Sequence, residues 1–214
     1  SCCNVYDATD YHVTGKYEQV ALFRRNDISI FDFKDKIIKI AKQYNNAVVV
    51  IENNNLGHAV VHNLYYEDGY ENVWYDYDKG EYGINSNVRT KALALAHFKE
   101  DVEVGRQLIN SGDLITELSY FEEVKTGVFQ ARIGRNFHDD CVATGYWAAF
   151  TLRSKYWEDY VQFQLKNESI NTAVTEEQAD DEEIMRGFIR GMGNTHGYDN
   201  DTEMQIMRNG LLRG

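Results

Sequence analysis

"AVVVIENNNLGHAVVHNL" (residues 47–64) is the stretch on which the reading of this chain turns. Its first five residues are apolar and mostly β-branched, and the run ends in a carboxylate, Glu52. A continuous run of this kind suits a strand buried on both faces, as in a parallel sheet covered by helices. Three asparagines and Gly57 follow, and a helical pattern extends from about Leu56 to Tyr66. Ligand sites in open α/β sheets gather beyond the C-terminal ends of the strands. An acid at the last step of an apolar strand is therefore a candidate functional group. The bland alternative is that Glu52 caps the next helix, but Asn53, Asn54 and Asn55 are better placed to do so.

The 214 residues are enough for one domain with a sizeable core. An apolar fraction of 43% fits a globular chain. No apolar run approaches the roughly 20 residues of a membrane helix, and the first residues carry no charged-then-apolar leader. The expectation is a soluble, intracellular protein. Cys2, Cys3 and Cys141 make no paired framework and fit a reducing compartment. The formal net charge of −12 argues against a protein that simply coats DNA, because phosphate contact needs Lys and Arg. It leaves room for a nucleic-acid enzyme, which needs only a local basic track and whose acidic metal ligands add negative charge. Proline is absent, and nothing in the sequence accounts for that. The opening "SCCNVYDAT" lacks an initial Met and suggests a fragment or a processed piece.

Around the central stretch, "SCCNVYDA" and "YEQVALFRR" (17–25) predict a β-hairpin with a slightly long loop that contains Gly15. In "ISIFDFKDKIIKIAKQY", Phe33, Ile37, Ile40 and Tyr44 recur at helical spacing. "ENVWYDY" predicts a strand, and "DKGEYGINSN" a loop or small hairpin. "VRTKALALAHFKEDVEVGRQLI" predicts a long helix and "LITELSYFEEV" a short one. "GVFQARI" predicts a strand, and "DDCVATGYWAAFTLRSKYW" a helix with Val142, Tyr146, Ala149 and Phe150 on one face. The order β-β-α-β-α-β-α-α-β-α implies an α/β layered domain over 1–157, with a mixed sheet, an antiparallel hairpin edge and helices on both faces. Residues 158–214 change in character. "TEEQADDEE" and the glycine-rich "GMGNTHGYDNDTE" predict an acidic, partly flexible tail, in which "EEIMRGFIRGM" could form a short helix.

Three constellations carry chemistry. Glu52 is the first. The second is "GRNFHDDC" (134–141), where Asp139 and Asp140 begin a helix. Taken alone, acids there complement the helix dipole. Taken with Glu52, they place carboxylates at one sheet edge, as the hard-oxygen ligands of Mg²⁺ or Mn²⁺. A two-metal site holds its ions about 4 Å apart. His138 could position water or contact phosphate. The third is "NVRTKA" (87–92), where Arg89 and Lys91 sit at a helix start that does not favour cations. Phosphate contact and a solvated face are equally good reasons for them. Arg132 and Arg135 could extend a DNA track. The pair His58 and His62 has zinc-helix spacing but lacks the intervening Glu and a third ligand, and is read as structural. There is no phosphate-binding G-x-x-x-x-G-K-[ST] loop and no G-x-S-x-G elbow.

"VVVIENNNLG", "NVRTKA" and "GRNFHDDCVATGYWA", in this order and spacing, resemble the C-terminal nuclease domain of the large terminase subunit of tailed bacteriophages. The resemblance runs from about Cys3 to Trp157. It implies an RNase H-like fold that cuts concatemeric double-stranded viral DNA during packaging, with Mg²⁺ or Mn²⁺ in a two-metal site. It carries over Glu52, Asp139 and Asp140 as catalytic metal ligands. Asn53 and Gly57 become the residues that shape the site, and Arg89 and Lys91 the basic segment facing DNA. The implied partners are a terminase ATPase domain or chain, the portal protein and the small terminase subunit, with no membrane, in the cytoplasm of an infected bacterium. Two departures stand out. The ATPase motor is absent from these residues, and so is a first strand ending in a further metal-ligating Asp, because Asp7 and Asp10 follow the hairpin's own first strand. The resemblance therefore implies an RNase H-like sheet lacking its first strand, and weak or no activity for the isolated chain. A non-catalytic docking module for portal, motor or DNA is the competing reading, and an RNase H-like resolvase a weaker third.

Overall fold

Strand β1 (Cys2–Asp7) pairs antiparallel with β2 (Tyr17–Arg24), from Cys2 opposite Arg24 to Asp7 opposite Glu18, with an irregularity between Val5 and Tyr6. The expected hairpin is present. Its connection holds one helical turn, α1 (Tyr11–Thr14), closed by Gly15 at φ 65°. The computed structural model describes residues 1–54, 56–125, 128–132, 134, 138–167 and 169. They divide at Gln162 into a unit over Ser1–Gln162 and one over Phe163–Gly214.

Helix α2 (Ile30–Gln43) starts where Ser29 accepts the Asp32 N–H, and it buries Ile37 and Ala41. The segment 47–52 is extended, but it does not form the expected fully paired strand. It makes two isolated parallel bridges, Val49 to Val73 and Glu52 to Ile84. The Val49 N–H donates to Asn72 O (2.8 Å), and the Trp74 N–H to Val49 O (2.9 Å). The Ile84 N–H donates to Ile51 O (2.7 Å), and the Asn53 N–H to Ile84 O (2.7 Å). An extended chain turns alternate peptide groups to opposite sides. The set at Val49 and Ile51 is used. The peptide groups of Val48 and Val50 have no partner among the described residues, and their side chains are only half-buried.

Beyond Glu52 run α3 (Leu56–His62), a π-helical turn Asn63–Glu67, and a small hairpin of β3 (Tyr75–Asp76) and β4 (Glu81–Tyr82). Helix α4 (Val88–Glu103) is capped reciprocally by Asn87 and Thr90. It is shorter than expected, because Gly105 at φ 68° ends it and the next residues form β5 (Gln107–Leu108), parallel to β2. Likewise only the first part of "LITELSYFEEV" is helical. Helix α5 (Gly112–Ser119) gives way to β6 (Phe121–Lys125), which pairs antiparallel with β7 (Val128–Ala131). Helix α6 (Asp140–Thr151) buries Val142, Tyr146 and Ala149 as expected. Residues 155–162 are helical, and so are 163–167 of the second unit. The rest of the expected tail, "EEIMRGFIRGM" included, lies outside the described residues.

The strands form three small sheets, β1-β2-β5, β3-β4 and β6-β7. Apolar residues collect in two cores. One joins α4, α5 and α6 through Phe98, Leu114 and Val142, with Cys2, Val48 and Val50 against it. The other joins α2 and α3 through Ile37 and Val60, with Cys3 and Ile51 against it. Successive residues of β1 and of 47–52 thus face opposite cores, and helices lie on both sides.

Burial of an acid pins α4 to α6. Asp101 has no exposed side-chain surface and accepts from Arg153 Nη1 (2.7 Å) and Tyr17 Oη (2.9 Å). Burial pushes its carboxyl up, but the bonds from Arg153 and Tyr17 outweigh that and hold it below the usual range. Asp101→Ala would strand a partly buried guanidinium, with an expected loss of about 3–5 kcal/mol in urea unfolding. The unfolded carboxyl titrates near ~3.9. The stabilisation is therefore complete well above that value and disappears as pH falls through the lower folded value. In Asp101→Asn, the pH dependence of stability over that acid range should flatten.

Candidate functional site

Glu52 stands where 47–52 ends, held there by its backbone. Asn53 is 5% exposed, and its Nδ2 donates to Tyr82 O (2.9 Å), while Asn54 Nδ2 donates to Ser86 O (3.1 Å). Both amides tie the segment to the 82–86 loop. They do not cap α3, contrary to the sequence expectation; Asn55 lies outside the described residues. The Asn53 Oδ1 is buried without a partner among the described residues. Two glycines let the chain close around this point. A Cβ on Gly57 would fall 1.9 Å from Glu52 O, so α3 starts in direct contact with that carbonyl. Gly83 has φ +83°, and a Cβ there would meet Ile51 O at 2.9 Å. The Glu52 side chain is exposed and makes no ion pair or hydrogen bond among the described residues.

Asp139 precedes α6 without making a capping bond. That duty falls to Glu117 of α5, whose Oε2 accepts from the Cys141 N–H (2.7 Å) and the Val142 N–H (3.2 Å). The same carboxylate lies 3.0 Å from Arg24 Nη2 and is fully buried. Capping, the bland reason for Asp139, is thus supplied by another residue. Asp140 is exposed and lies 3.7 Å from the Ser1 ammonium.

Two of these acids, Glu52 and Asp139, lie within electrostatic reach of Tyr146. Its phenol is 3% exposed. Burial raises it far above its ordinary value, and the charges of Glu52 and Asp139 push it the same way. Glu52 and Asp140 also line one cavity of about 460 Å³. Lys91 Nζ sits 5.7 Å from the centroid of the same Tyr146 ring, which brings one member of the basic segment to the group. Arg89 occupies the exposed first turn of α4, with its N–H on the Asn87 cap. Arg132 is on the β6–β7 hairpin, where its guanidinium meets Glu122 at 3.3 Å. His138 is exposed, and its backbone hydrogen-bonds the Tyr120 hydroxyl. Arg135 lies outside the described residues. His58 and His62 are both exposed, and the His62 ring lies tilted against Tyr66 with centroids 5.3 Å apart.

Among the described residues, no three His, Cys, Asp or Glu side chains are gathered closely enough to hold a metal ion. The donor chemistry suits a hard divalent cation, since Glu52 and Asp139 are carboxylates with no cationic partner among the described residues. The grouping falls short of a closed cage. A scan against protein-family models finds no match for the chain.

Glu117 escaped the sequence reading, although a signal was available. It falls three residues after Leu114 on the stripe that α5 buries, where an acid needs a partner. Glu117→Ala should cost about 3–5 kcal/mol, because it leaves Arg24 and two N–H groups of α6 unsatisfied. Hydrogen exchange should show the amides of 141–144 losing protection first, while α2 keeps its own.

Proposed function

We propose that the chain is the nuclease module of a viral DNA-packaging terminase, built on an RNase H-like sheet. Its Glu52, Asp139 and Asp140 would bind Mg²⁺ or Mn²⁺ for phosphodiester hydrolysis. One observation carries the reading. Glu52 and Asp140, nearly ninety residues apart in sequence, line a single cavity from the end of an extended segment and the start of a helix. Structural duties do not account for them, since Glu117 caps α6 and the Asn53 and Asn54 amides brace the loop. A divalent ion at such a place activates water and offsets charge on the phosphate. Lys91 is the residue best placed to meet a phosphate oxygen. Arg89 and His138 are exposed enough to follow the DNA backbone, and Arg132 would first have to leave Glu122. The partners of this reading are double-stranded viral DNA, an ATPase domain or chain, the portal and the small subunit, in the cytoplasm of an infected bacterium.

A second reading, a docking module without catalytic power, draws on the absence of a three-ligand group among the described residues. Both readings are tested by one pair of measurements on the 214-residue chain. Calorimetric titration with Mn²⁺ should give weak binding that Glu52→Ala and Asp139→Ala each abolish, while plasmid cleavage stays slow or absent. No heat up to tens of millimolar Mn²⁺ would favour the docking module. Fast Mg²⁺-dependent cleavage lost in Glu52→Ala would establish the nuclease and refute the incompleteness of its ligand set.

A further inference from the structure

A second cavity, of about 650 Å³, lies beside Asn53 and is walled by five tyrosines. Its volume falls in the ordinary range of small-molecule sites, roughly 300–1,000 Å³. Tyr75 and Tyr82 stand opposite each other on β3 and β4. Tyr66 comes from the π-helical turn, Tyr77 from the turn of the hairpin, and Tyr156 from the helix over 155–162. Turns of the π type frequently stand at functional sites.

The rings surround a hollow. Tyr82 is 4.9 Å from Tyr75, at 64°, and 6.4 Å from Tyr66, at 87°. Tyr77 stands at 72° to Tyr75 and lies 6.2 Å from Tyr156. Neighbouring planes thus turn steeply, as the sides of a box do. Tyr66 and Tyr77 are 66% and 53% exposed, so both rings present surface to solvent at the rim.

Charge and hydrogen-bond acceptors favour one kind of occupant. The lining holds Glu71 and Glu81, the imidazoles of His58 and His62, and no Lys or Arg. The Glu71 carboxylate is exposed and has no partner among the described residues. Glu81 accepts one long hydrogen bond, from Asn85 Nδ2 at 3.4 Å. Asn53 is buried against the same cavity, and its Oδ1 is an acceptor without a partner among the described residues. Burial and the neighbouring Tyr65 hydroxyl raise the Tyr82 phenol well above its ordinary value, which keeps that ring neutral. The face of a neutral aromatic ring carries negative potential and attracts cations. A phosphate here would meet two carboxylates with no basic side chain to receive it, which sets the cavity apart from a DNA track.

We propose that this cavity binds an organic cation, an ammonium group that carries alkyl substituents. The tyrosine faces take the alkylated nitrogen, and Glu71 and Glu81 balance its charge. Alkyl groups spread the charge and weaken hydration, so such an ion leaves water readily for aromatic surface. The same chemistry arrives on a free small molecule or on a methylated lysine side chain. The inference goes beyond the nuclease reading and does not depend on it.

Choline is the probe, with 3,3-dimethylbutan-1-ol as its neutral isostere and methyl glucoside as a sugar control. An N-acetylated trimethyllysine amide represents the side-chain source. Each is titrated into the 214-residue chain in metal-free buffer at pH 8, where an ordinary imidazole is neutral. Choline should bind with a dissociation constant on the order of millimolar. Its methyl protons should shift upfield under the ring currents, and the amides of 71–82 should shift with them. The isostere should bind roughly tenfold more weakly. Tyr66→Leu and Tyr77→Leu, at exposed rings, should each weaken choline by about three- to fivefold, while Tyr66→Phe, which keeps the aromatic face, should retain it. Glu71→Gln should weaken it by a similar factor. Tighter binding of the trimethyllysine amide than of choline would assign the site to a modified side chain, and the reverse order to a free cation; both support the proposal. Equal binding of the alcohol would overturn it in favour of a plain apolar hollow, and preference for the glucoside in favour of a sugar site. So would the absence of any shift up to about 100 mM choline, or binding left unchanged by Tyr66→Leu and Glu71→Gln. These titrations contain no Mn²⁺, so their failure is distinguishable from failure of the metal reading, which Mn²⁺ calorimetry reports on its own.

Discussion

The rest of the structure depends on a backbone that is hydrogen-bonded along one side only. The peptide groups of Val49 and Ile51 fix 47–52 to the 72–84 region, and this carries Glu52 to its position. Those of Val48 and Val50 face a slot. The first set makes a braced edge, because Gly57 and Gly83 let a helix and a loop close directly on the end of the segment. The second set leaves that edge mechanically open on the other side. A hydrogen bond adds only about 0.5–1.5 kcal/mol net, but a buried group left without one costs more than that.

Much of the frame was legible in the sequence, because it follows from local chemistry. The hairpin of β1 and β2, the helix starts at Ser29 and Asn87, and the buried stripe of α6 at Val142, Tyr146 and Ala149 follow from turn formers, caps and helical periodicity. Misreadings arose where one pattern ran into another. "GRQLI" continues the apolar rhythm of α4, yet Gly105 adopts a left-handed conformation and the next residues pair with β2. "YFEEV" looks like a continuation of α5, but its alternation suits the hairpin with β7. The apolar run at 47–51 signals a strand without saying how many neighbours it has, which is a tertiary matter.

The candidate site was legible to a different extent. Glu52, Asp139 and Asp140 stand out in the sequence by position and by resemblance, and the structure shows how their surroundings differ from those of the other acids. Acids with structural work are buried and paired, as Asp101 is with Arg153 and Glu117 with Arg24. Both interrupt an apolar stripe, Asp101 three residues after Phe98 and Glu117 three after Leu114, and that interruption could have identified them from sequence. Glu52 and Asp139 carry no such partner among the described residues. The residues of the expected basic track stand in different surroundings. Lys91 reaches the group through Tyr146, whereas Arg132 is engaged with Glu122, because a charge on an exposed hairpin pairs with whatever lies across the strand.

Whether the end of 47–52 and the start of α6 form one cation site is decided most directly by paramagnetic broadening. Substoichiometric Mn²⁺ added to the ¹⁵N-labelled chain should broaden the amides of 51–54 and 139–142 together, and Glu52→Gln should relieve both sets at once. Broadening confined to one of the two, or spread over surface acids such as Asp27 and Asp78 while 51–54 stay sharp, would contradict a shared site.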